Sequence, residues 1–130
     1  MGPSRRRITF IWIFLGIATS VATRVEAETI RFHCAYQSFS DAQSKGPQDA
    51  KGFSLEFVFD TISNKVVMIG NNGIEDVLVH KGADGMTFLE LLPTGAVQST
   101  SISSKGESVH SRHSIMSGRF LASQYYGFCK

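Results

Sequence analysis

The stretch Val109-His110-Ser111-Arg112-His113-Ser114 holds two imidazoles, a guanidinium and two hydroxyls. These are the side chains of metal ligation and of general acid–base work. Two other places carry reactive groups, the adjacent carboxylates Glu75-Asp76 and the histidine beside a thiol at His33-Cys34. Each chemistry requires its groups to converge on one side of the backbone. In an extended strand, Ser108, His110, Arg112 and Ser114 point one way and Val109, Ser111, His113 and Ile115 the other. His110 and His113 therefore cannot share a metal or a proton, and the same alternation separates Glu75 from Asp76. His113, between apolar neighbours, is expected at the edge of a core, and His110 with Arg112 on a solvated face. The chain has no G-x-S-x-G elbow, no H-E-x-x-H and no glycine-rich phosphate loop. No catalytic residue, metal ligand or cofactor is expected, and the chain reads as a non-enzyme.

The elements that must position these groups are short and regularly punctuated. Ser63-Asn64, Asn71-Asn72-Gly73, Gly82-Ala83-Asp84-Gly85, Pro93-Thr94-Gly95, Lys105-Gly106 and Ser117-Gly118 are turn signals at the spacing of an all-β domain. Between them, strands are predicted at about 29–36, 52–60, 65–70, 73–80, 85–92, 95–103, 107–116 and 119–129. The second is clearest, with Phe53, Leu55, Phe57 and Phe59 on one face. Residues 37–51 are polar, contain Gly46-Pro47, and read as a loop with room for one helical turn. The fold class is all-β, an eight-stranded antiparallel meander closed as a small barrel or sandwich.

The amino terminus belongs to a different class of segment. Three consecutive arginines, Arg5 to Arg7, precede an apolar run from Ile8, and Val25-Glu26-Ala27 offers small residues for a signal peptidase. Residues 1–27 are expected to be a general secretion signal, with cleavage after Ala22 as the other option. Residues 28–130 then form a single β domain. The uninterrupted apolar run falls short of the roughly 20 residues that span a bilayer, so no stable membrane insertion is expected once the signal is cut. Of the thirteen basic and eleven acidic residues, Arg5, Arg6, Arg7, Arg24 and Glu26 leave with it. Nine basic residues against ten acidic remain, with no charge run, which argues against a nucleic-acid partner.

Cys34 and Cys129, the two cysteines, sit near the ends of the exported chain. In an oxidising compartment they are expected to form one disulfide. Bringing first and last strands within about 7 Å at their Cα atoms favours closure of the sheet. One difficulty follows from alternation. Ile30, Phe32, Cys34 and Tyr36 share the inward face of the first strand, whereas Phe120, Ala122, Gln124, Tyr126 and Phe128 alternate away from Cys129. A bulge at Gly127 would shift the phase and turn Cys129 inward.

Two binding modes compete for such a domain. If the barrel is hollow, Phe57, Phe59, Met68, Met86 and Phe88 are candidates to line a pocket for a small apolar ligand, as in a lipocalin-like carrier. If it is filled they are core, and a protein partner would be met on an outer surface. There His110, Arg112 and Tyr125 are the candidate residues. The expected protein is a monomeric, exported binding protein.

The strand IRFHC, the FVFD strand, TFLE, HSRHS and the closing SQYYGFC span most of residues 29–129. Together they resemble small exported β-domain proteins of alphaproteobacteria. The resemblance implies a periplasmic or secreted location and a Cys34–Cys129 bond, and it carries no activity with it. The architecture is also similar, in size, export and disulfide, to the β-barrel inhibitors of c-type lysozyme. The tryptophan-containing stretch and the S-G-x-x-Y pattern of those inhibitors are absent here.

Overall fold

Period-two alternation and tight turns produce nine antiparallel strands: β1 (Thr29–Asp41), β2 (Gln48–Asp49), β3 (Ser54–Asp60), β4 (Lys65–Gly70), β5 (Gly73–Lys81), β6 (Gly85–Leu91), β7 (Val97–Ser103), β8 (Glu107–Met116) and β9 (Arg119–Cys129). The computed structural model describes Glu26 and residues 28–130, and among them there is no helix. The expected signal peptide, residues 1–27, lies outside the described residues apart from Glu26.

Eight of the strands form a closed meander. β1 pairs with β3, each later strand pairs with the next, and β9 returns to β1. Closure leaves no long sheet edge open to another chain. The seam is covalent, because Cys34 pairs directly with Cys129 at a Cα separation of 3.9 Å and the two form a disulfide. His33 and Lys130, the adjacent pair, exchange two backbone hydrogen bonds of 2.9 and 3.0 Å, so the cysteines occupy the neighbouring non-hydrogen-bonded position where side chains come closest.

β1 is longer than the sequence suggests. It runs on through residues 37–41, and the predicted loop at 37–51 contributes β2, whose Asp49 and Gln48 pair with Ser38 and Phe39. The turn after β1 is built by Asp41, whose carboxylate accepts hydrogen bonds from the Gln43 and Ser44 amides.

The irregularity expected in β9 sits on β1 instead. The register with β9 runs Tyr36↔Gly127 and then Ser38↔Tyr126, which leaves Gln37 as the extra residue of a bulge. β9 itself is unbroken, and it places Ser123, Tyr125, Gly127 and Cys129 inward while Tyr126 and Phe128 remain exposed. The reason is steric: a Cβ on Gly127 would lie 2.1 Å from the Ala35 carbonyl oxygen and 2.7 Å from Tyr36 Cα. β1 bulges towards β9 where β9 has no side chain. Beyond the bulge the inward phase of β1 switches, so that Phe39 stacks on Tyr125 with ring centroids 5.3 Å apart.

The interior is layered along its axis. At the end where β1 begins, Phe59 is buried and the Lys81 ammonium stands 4.0 Å from its ring centroid. The middle holds the stacked rings of Phe57 and Phe88, 4.3 Å apart, with Val77, Ile102 and the disulfide. Above them lie Tyr36, Phe53, Thr100, Ser108, His110 and Tyr125, a layer that mixes aromatic rings with polar groups.

Candidate functional site

β8 faces the barrel with Ser108, His110 and Arg112, and exposes Val109 and His113. The two histidines do lie on opposite sides, but the expected assignment of sides is reversed. His110 is 2% exposed, deep in the interior, and His113 is at the surface. Tyr125, also expected on the outside, is half-buried and packs against the core. Both inversions have one cause: the Cys34–Cys129 pair fixes Cys129 inward, an unbroken β9 then turns Tyr125 inward, and His110 pairs with Tyr125. Of the three candidate surface residues, His110 and Arg112 both line a cavity at the open end of the barrel, His110 from its buried position and Arg112 from the rim, and Tyr125 does not.

Inside, hydrogen bonds across the ladders join the buried polar groups. Thr100 Oγ1 and His110 Nδ1 share a hydrogen bond of 2.7 Å, and Tyr36 Oη and Ser108 Oγ one of 3.1 Å. No fully buried side-chain nitrogen or oxygen among the described residues lacks a partner. Burial, reinforced by the positive charge of Arg112, lowers the His110 pKa to about 4. The imidazole is therefore neutral at physiological pH. Burial pushes the Tyr36 phenol up, opposed by its hydrogen bonds to Ser108 and Thr100.

The residues that would line an apolar chamber fill it instead. Phe57, Phe59, Met68 and Phe88 are buried, and Met86 packs against them. The gap left among Phe57, Met68, Val77 and Phe88 does not admit a water molecule. Open or apolar surface lies elsewhere, and three places stand out.

The first is the open end, a cavity of about 400 Å³ lined by Leu55, Met68, Glu75, Glu90, Gln98, His110 and Arg112 among others. The Glu90 carboxyl is pushed up chiefly by burial and further by the charge of Glu75, with Arg112 acting against both. Neither the separation of acids in the sequence nor a motif marks this cluster, since Glu75, Glu90 and Arg112 come from β5, β6 and β8.

The second is an outer groove of about 630 Å³, where Thr87, Ser101, Val109, Tyr126 and Phe128 lie side by side across β6 to β9. The Thr87 and Ser101 hydroxyls share a 2.8 Å hydrogen bond there.

The third is the tip of the β8–β9 hairpin. β7 follows β8 only as far as Arg112, and β1 follows β9 only as far as Ser123. Residues 113–116 and 119–122 therefore pair only with each other among the described residues, and the hairpin projects beyond the barrel. Ser117 and Gly118 form its two-residue turn with φ of 50° and 73°, the left-handed pair of a type I′ turn. Phe120 is 76% exposed, Met116 61% and Leu121 43%.

Among the described residues no three His, Cys, Asp or Glu side chains are placed to hold a metal ion. No family model, curated protein or solved structure matches the chain.

Proposed function

We propose that this is an exported, non-catalytic binding protein that engages a protein partner through the projecting β8–β9 hairpin. The observation that carries the reading is an apolar tip, Met116, Phe120 and Leu121, held away from the barrel by backbone pairing alone. By alternation Met116 and Leu121 share one face of the tip and Phe120 the other, so exposed apolar side chains flank it on both sides, and a cluster of exposed apolar side chains on a small protein marks an interaction site. Aromatic, Met and Arg side chains are the types enriched in protein interfaces, and the tip carries Phe120, Met116 and Arg119. A lone arginine does not make the polybasic surface that anionic membranes attract, which favours protein over lipid.

Export is supported by the arginine-led apolar start of the sequence, by its resemblance to exported β-domain proteins, and by a disulfide compatible with an oxidising location. The filled interior weighs against a lipocalin-like carrier.

Photo-crosslinking from position 120 in the exporting host tests the reading. A discrete protein adduct at 120 that disappears with Met116→Ser/Leu121→Ser supports it. A lipid adduct overturns it, as does an adduct pattern shared with position 62, an exposed site in the β3–β4 turn at the other end of the barrel. The architectural likeness to lysozyme inhibitors makes c-type lysozyme the first purified partner to titrate.

A further inference from the structure

An inward-facing row crosses three strands at the open end of the barrel. Glu90 of β6 pairs with Gln98 of β7, and Gln98 pairs with Arg112 of β8. Adjacent strands lie about 4.8 Å apart, so the backbones of Glu90 and Arg112 stand about 10 Å from each other. Their side chains form no ion pair among the described residues. Glu75 lines the same cavity from β5, and His110 lies deepest in it.

His110 supplies an independent pointer to a ligand. Its Nδ1 is bonded to Thr100, while no described side chain bonds Nε2. Since no fully buried side-chain nitrogen or oxygen among the described residues lacks a partner, Nε2 keeps some exposure, and of the two spaces that His110 borders the cavity above it admits water whereas the gap beneath it does not. A side chain that is 98% buried thus keeps one polar atom free at the base of a pocket.

The charges exclude the simplest occupants. A metal ion lacks its ligands among the described residues, and an inorganic anion at Arg112 would face Glu75 and Glu90. A carboxylate pair at one side, a guanidinium at the other, and an amide and an imidazole between them suit a molecule with both charges. Oppositely charged groups of a ligand gain most when each forms charge-assisted hydrogen bonds at its own side of the pocket.

We propose that the barrel mouth binds a small zwitterion whose ammonium and carboxylate are several ångströms apart, as in a dipeptide or an ω-amino acid. The ammonium donates to Glu90 and Glu75, and the carboxylate accepts from Arg112. Gln98 and His110 Nε2 bond the linking segment. Burial and the Glu75 charge hold the Glu90 carboxyl up, and an ammonium placed between the two acids offsets that repulsion.

The test is a titration of the isotope-labelled, disulfide-bonded protein followed by NMR. Alanyl-alanine and 6-aminohexanoate are the zwitterionic probes, and N-acetyl-alanyl-alanine and alanyl-alanine amide each lack one charge. Saturable shifts of Glu75, Glu90, Gln98, Arg112 and the His110 imidazole are expected with the zwitterions. Each single-charge derivative should bind at least about tenfold more weakly, and Glu90→Gln should lose at least about as much. Saturation by only one zwitterion supports the proposal and fixes the charge spacing. Absence of saturable shifts for both up to about 20 mM overturns it, as does equal binding of the derivatives, which keep the test decisive even if Glu90→Gln does not fold. No arm involves Met116 or Phe120, so this proposal and the hairpin reading stand or fall separately.

Discussion

His110 Nδ1 lies 2.7 Å from Thr100 Oγ1, directly across the β7–β8 ladder and inside the barrel. The bond lets a polar ring occupy a layer otherwise built from Tyr36, Phe53 and Tyr125, whose centroids lie 5.7 to 6.0 Å from the imidazole. An unpaired polar group at such a depth costs about 1–3 kcal/mol. Paired with Thr100, and with Nε2 open to the cavity, His110 joins the apolar core to the charged mouth.

The neutral imidazole makes stability depend on pH. The His110 pKa in the fold, about 4, lies below its ordinary value of 6.5. Above 6.5 neither state is protonated and the group has no effect. As the pH falls from 6.5 towards 4, the unfolded chain binds a proton that the fold refuses, so stability declines, by roughly 3 kcal/mol at the lower limit. Burial is the main cause and Arg112 adds to it; Glu90, raised in the fold, titrates with the opposite sign. Urea unfolding at pH 7.5 and pH 4.5 is expected to show a smaller stability loss for His110→Gln than for the wild type. Glu90 is common to both proteins, and equal losses would contradict the account.

Gly127 should be intolerant of even one carbon. Ala35 and Tyr36 backbone atoms stand where its Cβ would be, and backbone cannot rotate aside as a side chain can. Gly127→Ala is expected to destabilise by roughly 1–3 kcal/mol, the range of an overpacked core. The urea midpoint measures it, with an unchanged slope expected because the unfolded surface is the same.

The stacked Phe57 and Phe88 rings separate a filled barrel from a hollow one. Phe88→Ala is expected to cost about 3–5 kcal/mol and to leave an apolar cavity that takes up benzene or indole, as dry engineered cavities do. The wild type should take up neither. Calorimetric titration of both proteins decides between them, and uptake by the wild type would restore the carrier reading.

Cutting the Cys34–Cys129 bond should weaken the seam without dissolving the barrel. The bond spans 95 residues, for which the loss of the chain constraint amounts to roughly 4–5 kcal/mol. A reduced and alkylated sample, or the double variant Cys34→Ala/Cys129→Ala, is expected to unfold at a much lower urea concentration. A midpoint equal to that of the oxidised protein would show that the β1–β9 ladder alone sustains closure.

The residues of the mouth were not legible as a site. Glu75 reads as a solvated charge beside a turn, Gln98 has no distinguishing neighbour, and Glu90 closes the TFLE stretch without signalling a cavity. They converge because β5 to β8 are consecutive in a closed sheet and each ends or begins at the same rim. The hairpin tip was closer to legibility: Ser117-Gly118 marks the turn, and Phe120 and Met116 flank it. What could not be read is that neither β7 nor β1 extends to cover that turn.

The sequence by itself determined the strand count of the barrel, the antiparallel meander and the cysteine pairing, because period-two alternation, turn chemistry and two terminal cysteines are local or arithmetical signals. It also placed His110 and His113 on opposite faces. Which face is interior was decided only by tertiary structure. In β8 the face that turns inward, Ser108, His110 and Arg112, is the more polar one, so hydrophobicity points the wrong way, and in β9 the apolar residues Phe120 and Phe128 are on the outside. The choice comes from register: Cys129 must meet Cys34, Gly127 must face the β1 bulge, and His110 follows through its pairing with Tyr125. Because a one-residue slip turns every side chain over, that single constraint carried His110 into the core and set Arg112 at the mouth.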